Sequence, residues 1–306
     1  MRRRFVTVDV FTTAAFAGNP LAVVLDAEGL SDAQMQAIAR EFNYVETTFI
    51  LPPSHPGHTA RVRIFTPDRE LPFAGHPNIG SAFVVARQGE MFGRVVGDLL
   101  VFEEAAGLVP LNILRAHGEV QGATLTAPEP FRRGIPMDPA LVAAASSLRV
   151  DEIATSRHQP VVASVGLPFL IAELQSRSAL RRILPDPPAL AELFRLAGVT
   201  GLHLYTREVA PDEIAGEHAD LTARMVCRVP MVVEDPATGS ANCALVALLT
   251  QLDPLSDISV TLSIAQGADM GRPSLLRASA RKQKNIVDNV MVGGSCVEVM
   301  AGTLRA

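Results

Sequence analysis

β-Branched residues dominate Phe5-Val6-Thr7-Val8-Asp9-Val10-Phe11, which predicts a first strand. A turn at Gly18-Asn19-Pro20 feeds a second strand, Leu21 to Leu25. Ser31 to Phe42 has helical amphipathic spacing, with Ser31 placed to cap it. A strand then starts near Glu46, in Phe42-Asn43-Tyr44-Val45-Glu46-Thr47-Thr48-Phe49-Ile50, and another over Ala60 to Phe65 ends at Pro67. From Pro77 to Ala86 the residues are small and apolar on every side, the pattern of a helix buried almost all round.

The second half repeats this order loosely. Gly166-Leu167-Pro168 feeds a strand to Glu173, a helix runs from about Pro188 to Ala197 and stops at Gly198, and Ala241 to Leu249 is a second buried helix. Ala60-Arg61-Val62-Arg63-Ile64-Phe65-Thr66-Pro67 can be laid over Ala223-Arg224-Met225-Val226-Cys227-Arg228-Val229-Pro230. Seven residues after the first proline lead to Gly75-His76, and eight after the second lead to Gly239-Ser240. Duplication explains the shared order better than chance similarity of two αβ segments. The lobes are expected at residues 1–127 and 128–306, joined through Pro128 to Pro136. Strands near Asn289-Val290-Met291-Val292 and Ser295-Cys296-Val297-Glu298-Val299 could pack on either lobe.

Composition narrows the function classes. With 306 residues, 48% hydrophobic and 19% charged, the chain reads as a soluble, well-packed protein rather than a disordered one. Its net charge of −5 with dispersed cations excludes a nucleic-acid footprint. Cys227, Cys243 and Cys296 show neither metal-ligand spacing nor an even count, so a reducing cytoplasm fits and no metal is expected. Arg2-Arg3-Arg4 and Ala15-Phe16-Ala17 imitate a signal peptide, but Asp9 breaks the apolar run. No stretch approaches the roughly 20 apolar residues that span a bilayer.

Glycine at the start of a helix leaves backbone N–H groups free at the positive end of the helix dipole, where anions bind. Two such helix starts, Gly75-His76 and Gly239-Ser240, are expected to face one cleft and to suit a small carboxylate-bearing substrate. Asp235-Pro236-Ala237-Thr238-Gly239-Ser240-Ala241 crowds a carboxylate and two hydroxyls at one of them. For single residues the plainer readings stand beside the functional ones. His76 could merely cap a helix, Glu46 could face solvent by alternation, and Arg272, in Gln266-Gly267-Ala268-Asp269-Met270-Gly271-Arg272-Pro273, could hold a turn rather than a substrate carboxylate. Asp253, Asp257, His117 and His203 read as surface or structural.

Taken together, these motifs resemble the PhzF-like isomerase family of phenazine biosynthesis, which shares its fold with diaminopimelate epimerase. The resemblance rests on Gly18-Asn19-Pro20, the Glu46 segment, Phe65-Thr66-Pro67, Gly75-His76-Pro77, Asp235 to Ala241, and Gln266-Gly267 with Gly271-Arg272-Pro273. It implies an α/β protein of two duplicated lobes, each a barrel-like sheet around a central helix, working without cofactor or metal. It also implies Glu46 as the general acid/base, with His76, Asp235 and Ser240 around the substrate. Asn19, Gly75, Gly239, Thr238 and Arg272 are the expected binding positions, and a homodimer is a family-level expectation. Asn78 departs from the threonine more usual in the family after Pro77.

Related epimerases use two thiols, which the corresponding loops here lack, so a proton shift by a single base is the leading reaction. A racemase or epimerase using Glu46 and Asp235 is the alternative, and an inactive ligand-binding protein of the same fold is a third reading.

Overall fold

The computed structural model describes every residue except 212, 215 and 229–231, so Val229 and Pro230, landmarks of the repeat, lie outside the described residues. The chain divides into two compact units, Met1–Thr126 with Gly293–Ala306, and Ala127–Val292.

Unit 1 runs through β1 (Arg2–Val10), β2 (Asn19–Val24), α1 (Asp32–Phe42), β3 (Glu46–Leu51), β4 (Ala60–Phe65), β5 (Glu70–Leu71) and α2 (Gly75–Gln88). A small hairpin, β6 (Glu90–Met91) and β7 (Arg94–Val95), leads on to β8 (Leu99–Glu104), β9 (Gly107–Ala116) and β10 (Glu119–Thr126). Strand β1 is antiparallel to β2, β2 parallel to β3, β3 antiparallel to β4 and β4 parallel to β8. Strands β8, β9 and β10 follow antiparallel. The ring is closed by residues near the end of the sequence. They pair with β10, and with β1 from Arg2↔Arg305 to Val10↔Cys296, making an eight-stranded barrel.

Helix α2 lies inside it, packed on β1, β2, β3, β9 and β10, with His76 through Ala86 all buried. Burying each large apolar side chain contributes about 1.5–3 kcal/mol. Close approach of helix and wall requires Gly80, because a Cβ there would stand 2.6 Å from Leu21 and 2.8 Å from Val10. Outside the barrel, α1 begins with a reciprocal Ser31–Gln34 capping box and ends at Asn43 in the left-handed region. It buries Met35 and Ala39 against Phe49 and Phe65.

Unit 2 contains β11 (Arg132–Pro136), α3 (Pro139–Ala145), β12 (Ile153–Ala154), β13 (Val161–Ser164), β14 (Pro168–Leu174), α4 (Arg177–Arg181) and α5 (Pro187–Ala197). It continues with β15 (Gly201–Thr206), β16 (Leu221–Arg228), β17 (Val232–Asp235), α6 (Gly239–Leu252), β18 (Ile258–Gln266), β19 (Ser274–Gln283) and the start of β20 (Ile286–Arg305). Its pairing follows the rule of unit 1: β13 antiparallel to β14, β14 parallel to β15, β15 antiparallel to β16, β16 parallel to β18, β18 antiparallel to β19. Helix α6 takes the place of α2 and is buried along most of its length. Its last carbonyls are capped by Lys282, 2% exposed, whose Nζ donates to Asp253 O at 2.6 Å.

Two details go beyond the expectation. Residues 132–136 are a strand paired with β13, not a bare connection. Both C-terminal segments belong to the single strand β20, whose last part, from Gly293, belongs to unit 1. The mixed α/β architecture with a closed barrel is the expected fold class.

Strand pairing also aligns the two copies independently of residue similarity. Thr47 pairs with Phe65, and Phe65 with Glu70; Leu202 pairs with Val226, and Val226 with Glu234. Counting on, Gly75 matches Gly239, His76 matches Ser240 and Asn78 matches Asn242. Counting back, Arg63 matches Arg224, and both arginines form bidentate pairs with the matching glutamates, Glu70 and Glu234. Ala60 therefore corresponds to Leu221, two residues from its place in the residue-by-residue comparison. A slip of two keeps each side chain on its own face of the sheet, so alternation could not detect it.

Candidate active site

In unit 1 the predicted residues converge at one end of the barrel. Glu46 is the first residue of β3, beside Leu21 of β2, and its side chain is 12% exposed. Asn19 opens β2 and is buried. His76, in the first turn of α2, has its Nε2 3.4 Å from Glu46 Oε2. Burial depresses the His76 pKa to about 3, against the weaker opposite effect of its hydrogen bond to the Pro20 backbone. The imidazole is therefore neutral near pH 7. Proline offers only a carbonyl, so the ring donates to Pro20 and, with Nε2 turned to Glu46, Nδ1 carries the proton.

In unit 2 the Asp235 loop is braced from behind. The Thr238 hydroxyl donates to Asp235 Oδ2. Gln266, at the end of β18, accepts at Oε1 from the Asn242 amide at 2.9 Å and from Thr238 N–H at 3.3 Å. Its Nε2 donates to the Asp235 carbonyl at 2.8 Å. Asn242 Nδ2 also donates to Thr238 O at 3.0 Å, and Asn242 Oδ1 accepts from His203 Nε2 at 3.1 Å. Asp235 and Ser240 are left half-buried, while Gly239 is buried. The Gly267 turn packs directly on the loop: φ is +79° and a Cβ would meet both the Pro236 and Arg272 carbonyls at 2.5 Å. Arg272 lies in this turn, its backbone N–H on Gly267 O.

Helix ends supply a further regularity. Helices α1, α3, α4 and α5 are each capped by a side chain, from Ser31, Asp138, Ser176 and Asp186. Helices α2 and α6, preceded by Ala74 and Thr238, have no side-chain cap and no acidic residue in the first turn. Their leading N–H groups are therefore not spent on a capping side chain, an arrangement suited to a carboxylate or a developing oxyanion. Gln266 and Asn242 are parts of this machinery that the motifs alone did not single out as site residues.

Cys243 and Cys296 are buried, and burial drives both thiols upward, Cys243 to about 12. Neither is a thiolate at neutral pH. Iodoacetamide at pH 8 is expected to add at most one group to the native protein, on half-buried Cys227. Intact mass spectrometry checks this, and rapid labelling of Cys243 or Cys296 would contradict it. Among the described residues no three His, Cys, Asp or Glu side chains are grouped as metal ligands, and no helix is long and apolar enough to cross a membrane.

Residues 8–302 match the family of phenazine biosynthesis-like proteins, PhzC-PhzF. The chain is 39% identical to an uncharacterized isomerase of Mesorhizobium japonicum, covering 99% of this chain and 98% of that one. It is 34% identical to trans-2,3-dihydro-3-hydroxyanthranilate isomerase of Pseudomonas chlororaphis, covering 98% of both. Among solved structures, a PhzF family protein of Bacillus anthracis has the same fold, with a TM-score of 0.85 over 100% of both chains at 21% identity.

Proposed function

We propose, from the premise that this chain belongs to the phenazine biosynthesis-like family and is an isomerase, that it moves a proton between two carbons of a small, carboxylate-bearing metabolite. Glu46 is the shuttle. Its carboxylate takes the proton from one carbon, the electron pair left behind spreads into the adjoining unsaturated system, and the resulting acid returns the proton to a second carbon. No atom is gained or lost, so the step calls for no redox partner or group carrier.

The observation that carries this reading is the 3.4 Å approach of Glu46 to a neutral His76 beside the start of α2. With Nδ1–H tied to Pro20, Nε2 presents a lone pair to Glu46. The ring thus supports the protonated acid that the return step needs and does not compete with it as a cation. In the same proposal the uncapped first N–H groups of α2 are suited to an anionic group, as are, in unit 2 taken by itself, those of α6 beside Ser240. Within unit 2, Asp235, held by Thr238, is suited to accept from a ligand donor, and Arg272 is a candidate for a carboxylate. A cytoplasmic setting belongs to the reading, as expected from the odd count and spacing of the cysteines, and so does a homodimer, which rests on the resemblance alone.

Thermal shift with trans-2,3-dihydro-3-hydroxyanthranilate and a panel of unsaturated carboxylic acids, followed by incubation of each hit in deuterium oxide, tests it. Isomerisation with deuterium at the accepting carbon and no inversion is the expected result. Inversion at a stereocentre would replace it with epimerisation, and stabilisation without exchange for every hit would reduce the protein to a binder.

A further inference from the structure

Glu104 is the last residue of β8, and the strand registers match it to Gln266 in unit 2: β4–β8 pairing continued by one residue sets Val62 beside Glu104, as Ala223 pairs with Gln266. Gln266 holds the Asp235 loop through an acceptor oxygen and a donor nitrogen. Asn78, matching Asn242, makes the same bond as its counterpart, Nδ2 to the Ala74 carbonyl at 3.0 Å. Here the likeness breaks. Asn242 Oδ1 has His203, but the residue matching His203 is Thr48, whose hydroxyl is engaged with Ser81 at 2.8 Å. Asn78 Oδ1 and both oxygens of Glu104 are sealed from solvent with no hydrogen-bond partner among the described residues. An ionised Glu104 would bring two more acceptors to a pocket already short of a donor, and a carboxylic acid brings the missing donor.

We propose that Glu104 acts as a carboxylic acid and does in unit 1 what the Gln266 amide does in unit 2, bracing the loop that carries His76. It is a positioning residue. Its bearing on turnover rests on the role of His76 in the reaction above; the brace itself does not. Burial raises the Glu104 pKa to about 8, against a weaker downward pull from Asn78, and no charged side chain contributes. Its neighbour Glu103 takes the other face, where burial alone would raise it but the Ser54 and His55 N–H groups and His58 hold it at about 2.

The sign of the pH effect follows. An acid whose folded pKa lies above its unfolded value costs nothing while protonated in both states. Stability is lost as pH climbs from about 4.5 to about 8, where the unfolded chain ionises and the folded one does not, and is level above that. A glutamine cannot ionise. The melting temperature of Glu104→Gln, relative to wild type, is therefore expected to rise by roughly 3 °C or more between pH 5 and pH 8 and then stay constant.

In wild type the His76 ring nitrogen resonances should move between pH 7 and 9 and be still in Glu104→Gln. The carboxyl 13C signal of Glu104, assigned in wild type, should titrate near 8. A pH-independent gap in melting temperature, or a Glu104 carboxyl titrating in the ordinary range near 4.5, overturns the proposal. No substrate enters these measurements, so they stand or fall apart from the isomerase reading.

Discussion

Glu46→Gln is expected to lower turnover of an isomerised substrate by ~10³-fold or more while leaving its dissociation constant within about 1 kcal/mol of wild type. The substitution keeps the shape and length of the side chain. It also keeps a polar group facing His76, since an amide N–H can donate to Nε2 as the protonated acid does. What it removes is the capacity to accept a proton from carbon. A binding role alone would reverse the pattern, with weaker affinity and nearly unchanged turnover. Progress curves by NMR and binding by calorimetry separate the two, and retained turnover in the variant would dismiss Glu46 as the base.

Breaking the ion pair that both units inherit should give very different losses. Arg224 is 9% exposed, grips Glu234 with two bonds of 2.7 Å, and donates to the Leu180 carbonyl at 2.9 Å. Arg224→Met leaves Glu234 without its partner one residue before Asp235, and is expected to cost ~3 kcal/mol or more. The matching Arg63 pairs with Glu70 and Asp32, whose side chains are 37% and 84% exposed, so water can replace it. Arg63→Met should cost no more than ~1 kcal/mol. Denaturant unfolding followed by circular dichroism measures both. Equal losses would mean that burial does not set the strength of the pair.

The difference between those two arginines also shows how far sequence reading reached. Local signals were legible: Ser31 as a cap, Gly198 as a stop, Glu46 at a strand start, and the two glycines at the ends of buried helices, each determined by residues within one or two turns. What was not legible depends on residues far apart in the chain. Arg2 to Arg4 lie in β1 because Thr303 to Arg305 pair with them, and no local pattern marks three arginines as a strand. Glu104 adjoins another glutamate and reads as a solvated strand end. Asn78, which lies near it, is 26 positions earlier, and only the barrel brings them together. Likewise residue similarity lays the Ala-Arg pair of Ala60 over that of Ala223, whereas strand pairing makes Arg63 and Arg224 counterparts.

Closure of the first barrel by residues 293–306 has a consequence for how the molecule is made. Synthesis proceeds from the N-terminal side, yet the wall around α2 lacks its eighth strand until everything from 127 to 292 has been translated. The later unit is continuous in sequence and can fold as it emerges. The earlier one must wait, with β1 and β10 as open edges flanking an apolar helix, for as long as the ribosome takes to read the other unit. Glu46 and His76 thus belong to the part of the protein that is begun first and finished last.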